Sequence, residues 1–463
     1  MDTMRRINQN HDLTDGPLLG RIIAYTIPLM LTGILQLLYN AADSVVVGKF
    51  VSAQALAAVG STGALINLTI NLFLGMSVGV SIMIAQQIGA RQYQDVSETV
   101  HTAVVVSVLA GLAVGVFGFC AARQLLLWMD SPADVIELST LYTKIYFIGM
   151  PANLLYNFGA SVLRAAGDTK RPLLFLMVSG LVNVILNVIL VVCFSMGVAG
   201  VAIATVVSQV LSAVLVVLSL MHSDQSYRLD PRSLRIHGDK LARMIRLGLP
   251  AGLQGATFSV SNILIQSSIN SFGSLAMAGN TAASSLDNFI YISTNSVYHA
   301  AVTFTGQNVG AKRYDRLNKI TGICLSTATV IGVAVSVIIF ALRVPLLHLY
   351  NDDPQVIQYA LLRMDIMCLT YVSCGWMDVM CGQLRGMGES VLPLLVSVMG
   401  VCGIRIVWIY TVFRYYDHTL TSLYISYPVS WVATTLAHGV CYFITKHRLE
   451  RRKEPIPDGH AQN

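Results

Sequence analysis

Residues 163–174 read LRAAGDTKRPLL, and residues 384–395 read LRGMGESVLPLL, 221 positions later. The offset recurs on either side. AQQIGARQYQD at 85–95 matches GQNVGAKRYDR at 306–316 at the same 221. Pro28, Gly33 and Asn40 match Pro250, Gly255 and Asn262 at 222. LLLWMDSPADVI at 125–136 resembles LLHLYNDDPQVI at 346–357. Four anchors spread over most of the chain mark an internal duplication.

What is duplicated follows from composition. Of 463 residues, 54% are apolar and 12% charged, about half the charge of an average soluble protein. Mean hydropathy is +0.64. So apolar a chain is not disordered, and a net charge of +6 does not suit a nucleic-acid binder. A membrane-spanning helix needs about 20 mostly apolar residues. Such runs lie near 22–48, 58–88, 102–121, 139–161, 172–194, 198–221, 247–268, 276–306, 320–342, 358–384, 391–413 and 420–444. They are continuously apolar, without the two-residue alternation of a membrane β-barrel. The first run has no small-residue cleavage site and reads as a retained span.

The expected fold is therefore all-α and integral to the membrane. Twelve transmembrane helices form two parallel six-helix lobes, related by a pseudo-two-fold axis along the membrane normal. Residues 1–221 are the first lobe, 222–246 a cytoplasmic linker, 247–445 the second lobe and 446–463 a polar cytoplasmic tail. With both termini cytoplasmic, 23 of the 30 Lys and Arg fall in inner tails and loops and four in outer loops. The eight cysteines show no metal spacing and read as small apolar packers. Neither a G-x-x-x-x-G-K-[ST] nucleotide loop nor an H-E-x-x-H zinc motif is present.

IPLMLTGILQLLYNAADSVVVGKF, QQIGARQ, the pair LRAAGDTKRP and LRGMGES, VNVILNVIL followed by GVAGVAIATVVSQ, and YPVSW resemble the multidrug and toxic compound extrusion (MATE) family. The resemblance runs from about residue 17 to 445 and is strongest to the bacterial and archaeal branch with an acidic residue in helix 1. It implies an antiporter in the bacterial cytoplasmic (inner) membrane, without a cofactor. Such a protein exports amphiphilic, often cationic, drugs and toxic compounds by alternating access, coupled to H⁺ or Na⁺. Its partners are the lipid bilayer and small organic substrates; no nucleic acid and no second copy of the chain are expected. A lipid-linked precursor flippase of the same superfamily would want a more cationic cleft. A membrane-embedded transferase would want clustered His, Asp or Glu at one surface, and the ten His are scattered.

Ionisable residues inside spans are costly and point to function. From the helical rise, Asp43 lies about 30 Å along helix 1, and Asn187 about 22 Å along helix 5 with Asn183 one turn below. The three can converge in the outer part of the first lobe. One carboxylate and two amides suit a proton or a transient Na⁺, the sole metal expected. The resemblance implies that Asp43 is the protonation site, beside a pair that reads N-x-x-x-D in relatives and Asn183-x-x-x-Asn187 here. In the second lobe Asp43 maps onto Ile265. There the depths of Asp287 and Arg405 match, so they are expected to pair, with Asp378 nearer the inner surface. Arg363 and Asp365 read as interfacial. Tyr39, Met76, Tyr291 and Tyr298 are candidate substrate-lining residues, since aromatic faces attract organic cations and Met adapts to irregular shapes. The Gly-containing loop pair reads as two tight inner turns.

Overall fold

The computed structural model describes residues 13–129 and 135–451. Helices dominate, because a chain in hydrocarbon must satisfy its own backbone N–H and C=O groups. The first half forms α1 (Leu18–Phe50), α2 (Ala53–Gly89), α3 (Tyr93–Trp128), α4 (Ile136–Ile148), α5 (Met150–Ala165), α6 (Lys170–Asn187) and α7 (Gly197–Met221). The second forms α8 (Gly238–Asn270), α9 (Ser274–Gly310), α10 (Leu317–His348), α11 (Pro354–Gly386), α12 (Val391–Ser397), α13 (Ile404–Trp408) and α14 (Leu420–Arg451). α4 and α5 meet at Gly149 and act as one rod. A π-helical stretch, Val188–Cys193, prolongs α6, and two more, Val398–Gly403 and Ile409–Tyr416, flank α13. The described residues thus make twelve rods, six in each half, and the all-α duplicated fold is the one expected.

Seven helical stretches are apolar enough to cross a membrane on length and composition alone, Leu18–Phe50 and Tyr93–Trp128 among them. α9 and α11 are not among these seven. They carry Asp287, Arg363 and Asp378, all turned into the protein rather than towards lipid.

Several boundaries differ from expectation. The span expected from 102 starts at Tyr93, and the one expected from 247 starts at Gly238. Helical hydrogen bonding does not stop at the edge of the hydrocarbon. Asp95 and Asp239 also sit in first turns, where the helix dipole favours an acid. Lys240 joins the two ends through Asp95 (2.5 Å), Asp239 (3.1 Å) and Glu98 (3.4 Å). Residues before Gly238 dock on α3: the Asp230 N–H donates to His101 Nε2, and the His237 N–H to Thr102 Oγ1, both at 3.1 Å. The expected polar tail is helical to Arg451, and its remainder lies outside the described residues, as do residues 130–134 of the repeated LLLWMDSPADVI.

By contacts the chain divides into two compact units. One holds residues 24–84 and 92–259, the other 13–23, 85–91 and the chain from 260. In the first, α2 and α8 cross through glycines four apart on each helix, Gly75 and Gly79 against Gly248 and Gly252. A Cβ on Gly75 would overlap the backbone of Gly252, and one on Gly248 would lie 2.5 Å from Met76 Cα. Such small-residue crossings replace the hydrophobic effect as glue in lipid. In the second unit, the repeated motifs meet reciprocally: a Cβ on Gly89 would overlap the Gln307 carbonyl, and one on Gly310 the Gln86 carbonyl. Arg91 and Lys312 follow these helices with the same left-handed φ of 57°. Gly167 and Gly388 match likewise, at φ 91° and 92°, in the two loops read as tight turns.

Overpacking a helix crossing costs about 1–3 kcal/mol. Gly75→Leu is expected to lower the monodisperse fraction in size-exclusion chromatography several-fold. Gly439→Ala, where an added Cβ meets nothing within 4 Å, should match the parent. Parental behaviour of Gly75→Leu would contradict the crossing.

Candidate functional site

In the first unit, α1, α6 and α7 bring polar side chains together in apolar surroundings. Asn187 Nδ2 donates to Asp43 Oδ1 at 2.5 Å and to Asn183 Oδ1 at 3.2 Å. Thr205 of α7 stands near the Asp43 carboxylate, its hydroxyl donating to the Val201 carbonyl at 3.0 Å. Asn183 and Asn187 are buried, and Asp43 is half-buried. The spacing of four in α6 stacks the two amides on one face, so a single residue of α1 can meet both. Asn187 Oδ1 is buried without a hydrogen-bond partner among the described residues. Packing fixes the height of α1: Tyr39, one turn before Asp43, lies against Gly180 so closely that a Cβ there would overlap its ring. Below, Thr32 Oγ1 donates to the Pro28 carbonyl at 2.7 Å, and Pro28 itself brings no N–H to the helix.

The second unit holds three buried arginines and two buried aspartates. The expected Asp287–Arg405 pair is not formed. Asp287 Oδ2 instead accepts from Arg363 Nε at 2.9 Å, both side chains almost fully buried. Arg363 Nη1 donates to Asn280 Oδ1 at 2.7 Å, and Asn280 Nδ2 to Gln266 Oε1 at 2.8 Å. Tyr424 and Tyr427 offer their rings to the guanidinium at 5.5 and 5.6 Å. Depth matched Arg405 to Asp287, but height says nothing about which helix stands alongside. α11 packs along the length of α9, and it starts at Pro354, which sets Arg363 more than two turns inside. Arg363 is therefore not interfacial. Asp365 does face outward, 3.7 Å from Arg343.

Arg405 has different partners. Its Nε donates to Ser430 Oγ at 3.0 Å and its Nη1 to Asn262 Oδ1 at 3.4 Å, with the guanidinium 4.1 Å from the Tyr427 ring centroid. Asp378 Oδ2 accepts from Asn295 Nδ2 at 3.1 Å. Among the candidate lining residues, Tyr298 is buried and accepts from Arg385 Nη1 at 2.5 Å. Tyr291 is 37% exposed, and Met76 belongs to the α2–α8 crossing. Sequence reasoning missed Thr205, Asn280, Gln266 and Ser430. Asn280 was within reach, since it lies seven residues before Asp287, two turns away on the same helix face.

A duplicated twelve-rod membrane chain with ionisable groups inside its spans has the architecture of a secondary transporter. A family model described as MatE matches residues 28–189 and again 250–411, and the chain belongs to that family of multidrug efflux transporters. The chain is 26% identical over 432 residues to "Probable multidrug resistance protein YoeA" of Bacillus subtilis, covering 92% of this chain and 93% of that one. It is 18% identical over 398 residues to "Multidrug export protein MepA" of Staphylococcus saprophyticus, covering 83% and 88%. A multidrug resistance MATE family transporter of the MOP superfamily, solved in an outward-facing conformation, superposes with a TM-score of 0.88 at 21% identity, over 95% of this chain and 98% of that one.

Breaking one partner of a buried ion pair costs about 3–5 kcal/mol. Arg363→Ala should therefore reduce folded protein in the membrane, and adding Asp287→Ala should recover part of the loss. Combining Arg405→Ala with Asp287→Ala should recover none. Recovery in the Arg405 combination, read as yield by fluorescence-detected chromatography, would reinstate the pairing rejected here.

Proposed function

We propose that the protein is a cation-coupled antiporter that exports amphiphilic, often cationic, organic compounds in exchange for H⁺ or Na⁺. It works by alternating access from a bacterial cytoplasmic membrane, with both termini in the cytoplasm. The reading is carried by the contact of Asp43 with Asn187, which in turn donates to Asn183; Asp43 is half-buried and outside any ion pair among the described residues. A carboxylate held only by neutral donors can lose its charge without leaving a partner charge stranded, unlike Asp287 beside Arg363. The names of the Bacillus and Staphylococcus relatives support drug-like substrates.

The chemistry follows from the donor set. With Asp43 ionised, Asn187 serves it as a donor. With a proton on Asp43, the group needs an acceptor, and the unpartnered Asn187 Oδ1 is one. The same amide oxygen and the carboxylate are hard oxygen ligands, which also suits Na⁺. A change in the hydrogen bonding between α1 and α6 can then reset α1 at Pro28, where its hydrogen-bond ladder is already interrupted.

Asp43→Asn resembles the permanently neutral form. It should insert at near-parental levels, still bind a cationic dye, and lose dye efflux in inverted vesicles under either an imposed pH or Na⁺ gradient. Asp43→Glu should keep partial activity, and Asp365→Asn should transport like the parent. Parental efflux by Asp43→Asn under the gradient that drives the parent would remove Asp43 from the coupling role.

A further inference from the structure

Arg405 is 3% exposed and lies within a membrane rod, yet no described carboxylate stands within ion-pair distance of it. The acid expected to meet it is held by Arg363. The guanidinium spends Nε on a hydroxyl and one terminal nitrogen on an amide, and Nη2 has no hydrogen bond among the described residues. A buried charge compensated only by neutral groups is costly unless something else completes it. Aromatic side chains surround it. Tyr427 covers one face, Trp431 stands 5.7 Å away, and Tyr371 packs on Trp431 with ring centroids 5.1 Å apart.

The duplication gives this residue a counterpart. Pro172 matches Pro393 at an offset of 221, but the π-helical Val398–Gly403 lies between Pro393 and Arg405, whereas α6 is α-helical as far as Asn187. A π turn inserts one residue into a helix and is frequent at functional sites. Counting that inserted residue, the offset beyond it becomes 222. At 222, Arg405 is the counterpart of Asn183, and Asn262 that of Asn40, one turn from Asp43. The position that faces an acid site in the first half thus carries a fixed cation in the second.

We propose that Arg405, with Asn262 and Ser430 and flanked by Tyr427 and Trp431, binds the carboxylate of an aromatic amphiphile. The free Nη2 together with Nη1 presents two parallel N–H donors to the two carboxylate oxygens, and the aromatic side chains contact the ligand's ring. The inference rests on the transport reading only in treating that amphiphile as cargo. Substrates would then include anionic and zwitterionic compounds as well as cations.

The test is equilibrium dialysis of the full-length protein in lipid nanodiscs against 2-naphthoate, its methyl ester and inorganic phosphate. The parent should bind naphthoate at least tenfold more tightly than the ester. Arg405→Gln should abolish that preference while leaving ester binding within twofold, and Arg405→Lys should keep part of it. Phosphate should not displace naphthoate at equal concentration. Equal binding of acid and ester by the parent would overturn the proposal, and this arm needs no variant to fold. So would an unchanged preference in Arg405→Gln. Displacement by phosphate at equal concentration would assign the site to a free inorganic anion instead of an amphiphile. None of these readouts involves a gradient, so failure here leaves the coupling role of Asp43 standing, and the converse also holds.

Discussion

The structure depends on one constraint: a charge placed inside apolar surroundings must find a partner or lose its charge. Asp287 meets the constraint by ion pairing with Arg363, whose Nη1 donates on to Asn280, and Asn280 to Gln266. Arg385 leans on the Tyr298 hydroxyl, and Asp378 on Asn295. Asp43, like Asp378, meets an amide and no arginine within ion-pair distance among the described residues. On the proposed function, a proton on Asp43 comes and goes beside the neutral Asn187 amide without opposing a fixed charge. On the proposed function, the contrast with Asp287 separates a group that holds helices in place from a group that switches.

A second constraint is the close approach of helices. Lipid offers helices no hydrophobic reason to associate, so backbone contact has to be made through glycines. Gly75 and Gly79 against Gly248 and Gly252, and the reciprocal Gly89 and Gly310, are places where a single methyl group would push rods apart. The second set explains why the QQIGARQ motif recurs as GQNVGAKR: each copy supplies the glycine that receives the other's glutamine carbonyl.

Much of this was legible in the sequence. Twelve apolar runs became twelve rods because hydrocarbon allows a chain little besides helix. The Asp43, Asn183 and Asn187 cluster was reachable because two amides four residues apart must share a face, and the rise per residue gives a helical side chain's depth. The Asp287 partner was not reachable from depth alone. Lateral neighbours are a tertiary property, and Arg363 looked interfacial only because α11 was taken to start four residues too late. The π-helical stretches were equally hidden, since an inserted residue leaves an apolar run apolar. They shift the register by one and carry Arg405 to its position opposite Asn262. The early start of α8 was masked by charge, because Asp239, Lys240 and Arg243 read as linker when they extend a helix into water.

The central claim is that Asp43 holds the coupling ion. It is tested most directly by measuring the ion released when a cationic dye binds the purified protein. A pH indicator in weakly buffered detergent solution reads H⁺, and a ²²Na-loaded sample reads Na⁺. The account predicts close to one ion released per dye bound by the parent, and none by Asp43→Asn at dye concentrations that saturate it. Release from Asp43→Asn equal to that from the parent would contradict it.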